Sequence, residues 1–178
     1  MALDIGAYAL KLSVYARLAG RSTKMTDDPR RTPADCNCLA IRQAARFVTQ
    51  IYDRHLAPAG LRVSQFGILA MLRHKGPLTI NELAAELVID RTTLGRNILP
   101  LQRDGLIAVK ASAFDRRCKE LRLSAAGEKR YRDARRFWGE AQAEFETRFG
   151  GERAAHLRST LRDLIATAPQ SADAAIPE

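Results

Sequence analysis

Across residues 79–130 the spacing of apolar residues runs three-or-four, then two, then three-or-four again, and few folds tolerate that order in so short a segment. TINELAAELVI opens on Thr79 with Glu82 three residues later, a T-x-x-E capping box that starts a short helix. Asp90 then stands where it can cap a second helix, in VIDRTTLGRNILPLQRDGL (88–106), whose Leu94, Ile98 and Leu101 form one apolar stripe. LIAVKAS (106–112) and CKELRLS (118–124) shift to alternation, with Leu121 and Leu123 on one face. The basic tip AFDRR lies between them, so the spacing predicts a hairpin of two short strands.

The second helix has an unusual polar side. Arg91, Thr92, Thr93, Arg96 and Asn97 all carry hydrogen-bonding ends, and no acid stands among them. Such a face fits the DNA major groove, which is about 12 Å wide and accepts one helix. There an arginine can fork onto guanine, an asparagine onto adenine, and a threonine methyl can meet thymine. Helix, short turn, polar-faced helix and basic hairpin together are the order of a winged helix-turn-helix. From Arg91 to Lys119, seven basic residues (91, 96, 103, 110, 116, 117, 119) stand against two acids (104, 115), so the positive charge is concentrated where this reading needs it. Arg116 and Arg117, at the hairpin tip, suit phosphate contact or a narrow minor groove. Pro100 falls after the reading segment, where it marks either a kink or a boundary before a second short helix.

The flanks read as helices. Leu39, Ala40, Ala44, Phe47, Val48 and Ile51 make residues 36–57 a long amphipathic helix that Pro58 and Gly60 end. VSQFGILAMLRHKG (63–76) is a second, closed by Gly76 and Pro77. Ser124 with Gly127 opens a long charged helix to about Phe149, Gly150-Gly151 breaks it, and Leu157, Leu161 and Leu164 stripe a last one. The fold class is therefore mainly α with a small β-hairpin wing. Residues 1–34, with Lys11, Arg17, Arg21 and Lys24 opposed by Asp4 alone, read as a flexible extension, with Met25 beginning the functional chain, against the alternative of a targeting or membrane-surface segment. The folded domain is expected over 35–168, followed by a flexible tail over 169–178.

The net charge of +9 over 178 residues makes a polyanionic partner worth testing. No apolar run approaches the roughly 18 residues that span a bilayer, so no membrane partner is expected. Three cysteines without a secretion signal fit a reducing, cytoplasmic setting. No Gly-rich phosphate loop, carboxylate pair, nucleophile triad or metal-ligand spacing emerges, so neither an enzyme nor a cofactor is expected. His55 and His74 fall at helix ends, where partial positive charge is welcome.

Residues from about 38 to 166 resemble the MarR family of bacterial winged-helix regulators. QFGILAMLRHKGPLTINELAAELVIDRTTLGRNILPLQRDGLI matches its helix-turn-helix. DRRCKELRLSAAG matches its wing signature, Asp-Arg-Arg followed by Leu-x-Leu-Ser/Thr-x-x-Gly, although the tip ASAF lacks the usual further acid and proline. The resemblance implies a double-stranded DNA partner with a pseudo-palindromic operator, and a homodimer built from the first helix and the last two. It also implies a small effector in the cleft between dimer-forming and DNA-binding parts, and the chain reads as a repressor released by a ligand or by oxidation. In that pattern Asp115 orients the wing through a salt bridge and Arg117 reaches DNA.

DCNCLAIRQAARFVTQIY (35–52) adds a second theme. Cys38 falls at the start of the first helix, where a helix N-terminus favours the thiolate form. Cys-x-Ala followed by Arg46, Thr49 and Tyr52 is similar to the first helix of MarR-type organic-hydroperoxide sensors, with Cys38 at the reactive position. Those sensors ring the thiol with tyrosines; here only Tyr52 matches, and Arg42 and Val63 stand at the other two positions. Cys36 could resolve a sulfenic acid in a neighbouring subunit, or join Cys38 in a metal site for which two cysteines alone are too few. The plain alternative is that Cys38 is a small packing residue at the helix start, and Cys118 in the wing reads as inert. If oxidation is not the signal, a small aromatic or acidic effector near Arg42, Arg46 and Tyr52 takes its place. Two other functions compete with regulation: a thiol redox protein using Cys36 and Cys38, against which the chain lacks Cys-x-x-Cys, and a non-specific architectural DNA binder.

Overall fold

A computed structural model describes residues 32–111 and 118–168. The chain divides into two compact units, residues 1–41 and 42–178. In the first, Thr32 and Asp35 form a capping box around a single 3₁₀ turn (Pro33–Asp35), the Thr32 amide donating to the Asp35 carboxylate at 2.8 Å. Helix α1 (Asn37–Leu56) follows. A 3₁₀ turn (Ala57–Ala59) and a left-handed Gly60, at φ 66°, then reverse the chain into α2 (Val63–Lys75).

Strand β1 (Leu78–Thr79) leads straight into α3 (Ile80–Leu87). The T-x-x-E box forms as its sequence predicts: the Glu82 amide donates to Thr79 Oγ1 at 3.2 Å, and the Thr79 amide to Glu82 Oε2 at 2.7 Å. The turn to α4 (Arg91–Arg103) passes through Val88 at φ 52°. A β-branched residue in the left-handed region is strained. Its amide and that of Ile89 donate back to the carbonyls of Ala84 and Ala85, which closes α3 and fixes the turn. Asp90 then caps α4, accepting the Thr93 amide at 2.8 Å. The Thr93 side-chain hydrogen bond first, and then this amide bond, hold the Asp90 carboxyl below the usual aspartate range.

Helix α4 runs unbroken through Pro100, so of the two readings of this residue the boundary before a second short helix does not hold. A proline has no amide to donate to the carbonyl four residues back, so the Arg96 carbonyl lacks its helical partner. Leu94, Ile98 and Leu101 are buried in one core with Leu69, Leu72 and Leu83 from the two preceding helices. Burying a leucine of this kind stabilises by roughly 1.5–3 kcal/mol, and three such anchors outweigh one lost helical bond.

Strands β2 (Ile107–Ala111) and β3 (Lys119–Leu123) pair antiparallel, with Ile107 opposite Leu123 and Val109 opposite Leu121. Unlike the expected two-stranded hairpin, the sheet has a third member, because Leu78 pairs with Leu121 and Thr79 with Glu120, giving the order β1-β3-β2. Ser124 caps α5 (Ala125–Phe149), and α6 (Gly151–Ala166) follows Gly150 at φ 93°. Arg54 at the end of α1 donates to both carboxylate oxygens of Glu144 on α5, at 2.6 and 2.8 Å, and His55 Nε2 lies 2.7 Å from Glu144 Oε2. The His55 bond and then Arg54 hold the Glu144 carboxyl down to about 2.

Candidate nucleic-acid interface

The buried stripe of α4 turns its opposite side outwards. Arg91, Thr92, Thr93 and Arg96 are exposed, and Asn97 is half-buried at the edge. The structure thus brings all five expected reading residues onto the first two turns of one capped helix. The N-terminal amides of such a helix favour negative charge, so Arg91 and Thr92 stand where a phosphate would be held. The acid at that end, Asp90, is engaged in its cap. Asp115, Arg116 and Arg117 lie outside the described residues. The sheet below the wing is described: Lys110 on β2 faces Glu120 on β3, and Glu120 also accepts Arg122 at 2.7 Å.

A cavity of about 410 Å³ opens between α2 and α5. Phe66 stacks on Tyr131 at 5.4 Å and on Trp138 at 6.1 Å, so three aromatic rings form one wall. His74, whose Nε2 lies 3.4 Å from the Tyr131 hydroxyl, and Arg135 supply the polar lining, while Leu87 closes the side toward the strained Val88 turn. Phe66, Tyr131, Trp138, His74 and Arg135 were not singled out as a site by sequence, since residues sixty apart share no local pattern.

A second cavity, of about 360 Å³, is lined by Phe47 and Val48 of α1 with Phe145, Phe149 and Leu157. A third groove carries Arg130, Arg132 and Arg136. None of these three cavities is lined by Arg42, Arg46 or Tyr52. Arg42 and Arg46 are exposed, whereas Tyr52 is buried and donates its hydroxyl to Gln142. Burial first, then the nearby charge of Glu146, raises the Tyr52 phenol above its ordinary value. Cys36 and Cys38 are both exposed, and the Leu39 amide donates to Cys36 Sγ at 3.4 Å. Among the described residues no three His, Cys, Asp or Glu side chains are grouped to hold a metal, and no helix is long and apolar enough to cross a membrane.

The family model described as "MarR family" matches residues 59–117, which hold α2 to α4 and β2. A solved M. tuberculosis transcriptional regulator, MosR, in complex with DNA, is 39% identical and superposes with a TM-score of 0.66, covering 74% of this chain and 95% of its own. The chain belongs to the MarR family. A second relative, the HTH-type transcriptional regulator YwoH of Bacillus subtilis (strain 168), is 32% identical over 93 residues, which is 52% of this chain and 67% of YwoH. The fold alone is shared with Bordetella bronchiseptica BpsR, solved in a study of regulation of its DNA binding by 6-hydroxynicotinic acid. BpsR is 21% identical, with TM-score 0.68 over 78% of this chain and 99% of its own. This MarR-family chain is accordingly a DNA-binding transcriptional regulator with a winged-helix reading head.

Proposed function

We propose that this regulator binds a pseudo-palindromic operator as a homodimer, represses the gene beside it, and is released by a small effector. The observation that carries the DNA reading is the first half of α4, with Arg91, Thr92, Thr93, Arg96 and Asn97 turned out from a buried Leu94–Ile98–Leu101 stripe. Dimerisation is supported by apolar faces that the single chain leaves in water. From Asn37 to Phe47 every residue of α1 is exposed, and Phe47 keeps 52% of its surface. On α6, Leu161, Leu164 and Ile165 are exposed as well. Amphipathic helices with uncovered apolar stripes are stable only when another surface covers them.

The effector reading follows the aromatic cavity rather than the exposed Arg42 and Arg46. Phe66, Tyr131 and Trp138 would stack a flat ring, and Arg135 and His74 would favour an acidic substituent. Leu87 passes occupancy on, because it immediately precedes the Val88 turn that sets the approach of α4. In this picture the wing completes the grip: Asp115 orients it, and Arg116 and Arg117 contact the backbone.

Selection on random duplex DNA followed by titration tests the reading. Arg96→Ala is expected to weaken operator binding by roughly 1–3 kcal/mol and to relax preference at one or two positions. Arg117→Ala should weaken binding to all duplexes and flatten the salt dependence. Equal losses on operator and random DNA from Arg96→Ala would remove its base-reading role. A ratio near one between selected and random duplex for the wild type would make the chain an architectural binder instead.

Exposure of both N-terminal thiols favours a second release signal, oxidation of Cys38. Its thiolate would attack a hydroperoxide, taking one oxygen as sulfenic acid and leaving an alcohol. A second thiol, Cys36, would then displace that oxygen as water to close a disulfide. Titration with cumene hydroperoxide, read by fluorescence anisotropy on the operator, is expected to release the wild type at stoichiometric oxidant and to spare Cys38→Ser. Release that persists in Cys38→Ser leaves Cys38 a packing residue and the aromatic cavity as the signal site.

A further inference from the structure

Thr92, Arg96, Leu99 and Arg103 follow one another at four, three and four residues, so they lie on a single line along α4. All four are exposed. Leu99 is the most exposed large apolar side chain among the described residues, at 63%. Its neighbours in sequence show that this is not a failed core position, since Ile98 and Leu101 are buried and already fill the stripe facing Leu69, Leu72 and Leu83. A lone exposed leucine needs no explanation on an ordinary surface. Here it stands one turn from a guanidinium on either side, in the middle of the face that meets DNA. The uncovered apolar residues of α1 and α6 lie on other helices.

From this line we infer that Leu99 reads the C5-methyl group of a thymine in the major groove, next to the base pair read by Arg96. Thymine is the base that presents an apolar group in that groove, so a branched aliphatic side chain selects it by excluding water from the methyl. Along an α-helix Leu99 lies about 4.5 Å beyond Arg96, and base pairs are spaced about 3.4 Å along a strand. The thymine therefore falls one or two base pairs from the position that Arg96 specifies. Each half-site then contains a charged read and an apolar read side by side, and the second is independent of salt. Pro100 keeps the pair together, because a proline restricts the backbone of the residue before it and so limits how Leu99 is presented.

This inference rests on α4 being the reading helix, and one experiment separates the two. Wild type, Leu99→Ala and Arg96→Ala are titrated against the selected operator. The same operator is then tested with symmetric thymine pairs replaced, one position at a time, by 2′-deoxyuridine, which removes only the methyl. Burial of a methyl is worth a factor of about four in affinity, so deoxyuridine in both half-sites should cost the wild type about sixteen-fold at one position. Leu99→Ala should bind thymine and deoxyuridine duplexes alike, and 5-methylcytosine paired with guanine should recover less than thymine. Leu99 is exposed, so an unchanged melting temperature is expected for the alanine variant. No deoxyuridine-sensitive position within two base pairs of the Arg96 position, or full sensitivity retained in Leu99→Ala, overturns the inference while leaving α4 as the reader. An Arg96→Ala variant that keeps the wild type's preference at every position of the selected operator overturns the reading-helix assignment itself.

Discussion

Deleting α6 by ending the chain at Gly150 is expected to turn a dimer into a monomer and to lower operator affinity by about 10²–10⁴-fold, the gain that a second linked reading head contributes. The physical source is the length of uncovered apolar helix. α6 buries only Ala154, with Leu157 partly covered, while Leu164 keeps 51% of its surface. Phe47, Val48, Phe145, Phe149 and Leu157 line a neighbouring apolar hollow of about 360 Å³ that a second copy can fill. Half-sites about 10 bp apart can then be gripped at once, which no monomer can do. Truncation exposes new surface, so the paired substitution Phe47→Glu with Leu164→Glu is the sharper version. Both side chains are already half in water, and the monomer should keep its helical content while sedimenting at half the mass. A truncated or doubly substituted chain that stays dimeric, or a monomer that binds the operator at full affinity, removes the homodimer from the proposal.

Much of this arrangement was legible because it is encoded locally. The Thr79–Glu82 box and the Asp90 cap are contained within four residues each, and their chemistry permits one outcome. The hairpin was legible from the alternation of Leu121 and Leu123, and its register places both where the spacing predicts. β1 was missed because two residues carry no period; Leu78 becomes a strand only when Leu121 is already beside it. Val88 was missed for a different reason. Nothing in its identity announces a left-handed backbone, and the closing bonds from the Val88 and Ile89 amides impose it against the preference of the side chain.

The candidate sites divide in the same way. Arg91 to Asn97 is a run on one helix, so the polar face is legible from residue spacing alone. Leu99 was hidden by its own chemistry, since a leucine between Ile98 and Leu101 in an apolar run resembles core until exposure is known. The aromatic cavity draws Phe66 from α2 and Tyr131 and Trp138 from α5, and only packing brings them within 5.4 and 6.1 Å. Arg42 and Arg46, by contrast, attracted attention through charge near a suggestive cysteine and line none of the three cavities described.

Gly127→Ala is expected to destabilise the fold by about 3 kcal/mol or more, the upper range for overpacking a tight contact. The Gly127 α-carbon lies where the first turn of α5 crosses the base of the wing. A β-carbon there would sit 2.1 Å from the Leu106 carbonyl oxygen and 3.0 Å from its carbon, with Leu123 Cδ2 at 3.1 Å. The obstacle is backbone, so no rotamer change relieves it. Nor can the backbone yield cheaply. The Leu106 carbonyl accepts the Ser124 amide at 3.1 Å, Ser124 Oγ donates to the Gly105 carbonyl at 2.6 Å, and the Gly127 amide donates to Ser124 Oγ at 3.0 Å. Moving α5 away would break this lock and tilt β2 and β3, and with them the wing. The glycine that closes the Leu-x-Leu-Ser-x-x-Gly signature is thus a packing requirement where helix and hairpin meet. For a chain of this size a loss of about 3 kcal/mol lowers the melting temperature by roughly 6–12 °C. Gly139→Ala is the matched control, since it lies inside α5 with open space around it and should gain up to about 1 kcal/mol from helix propensity. Thermal unfolding of both variants decides the matter: a Gly127→Ala chain that melts with the wild type would mean that α5 and the wing base do not touch as described.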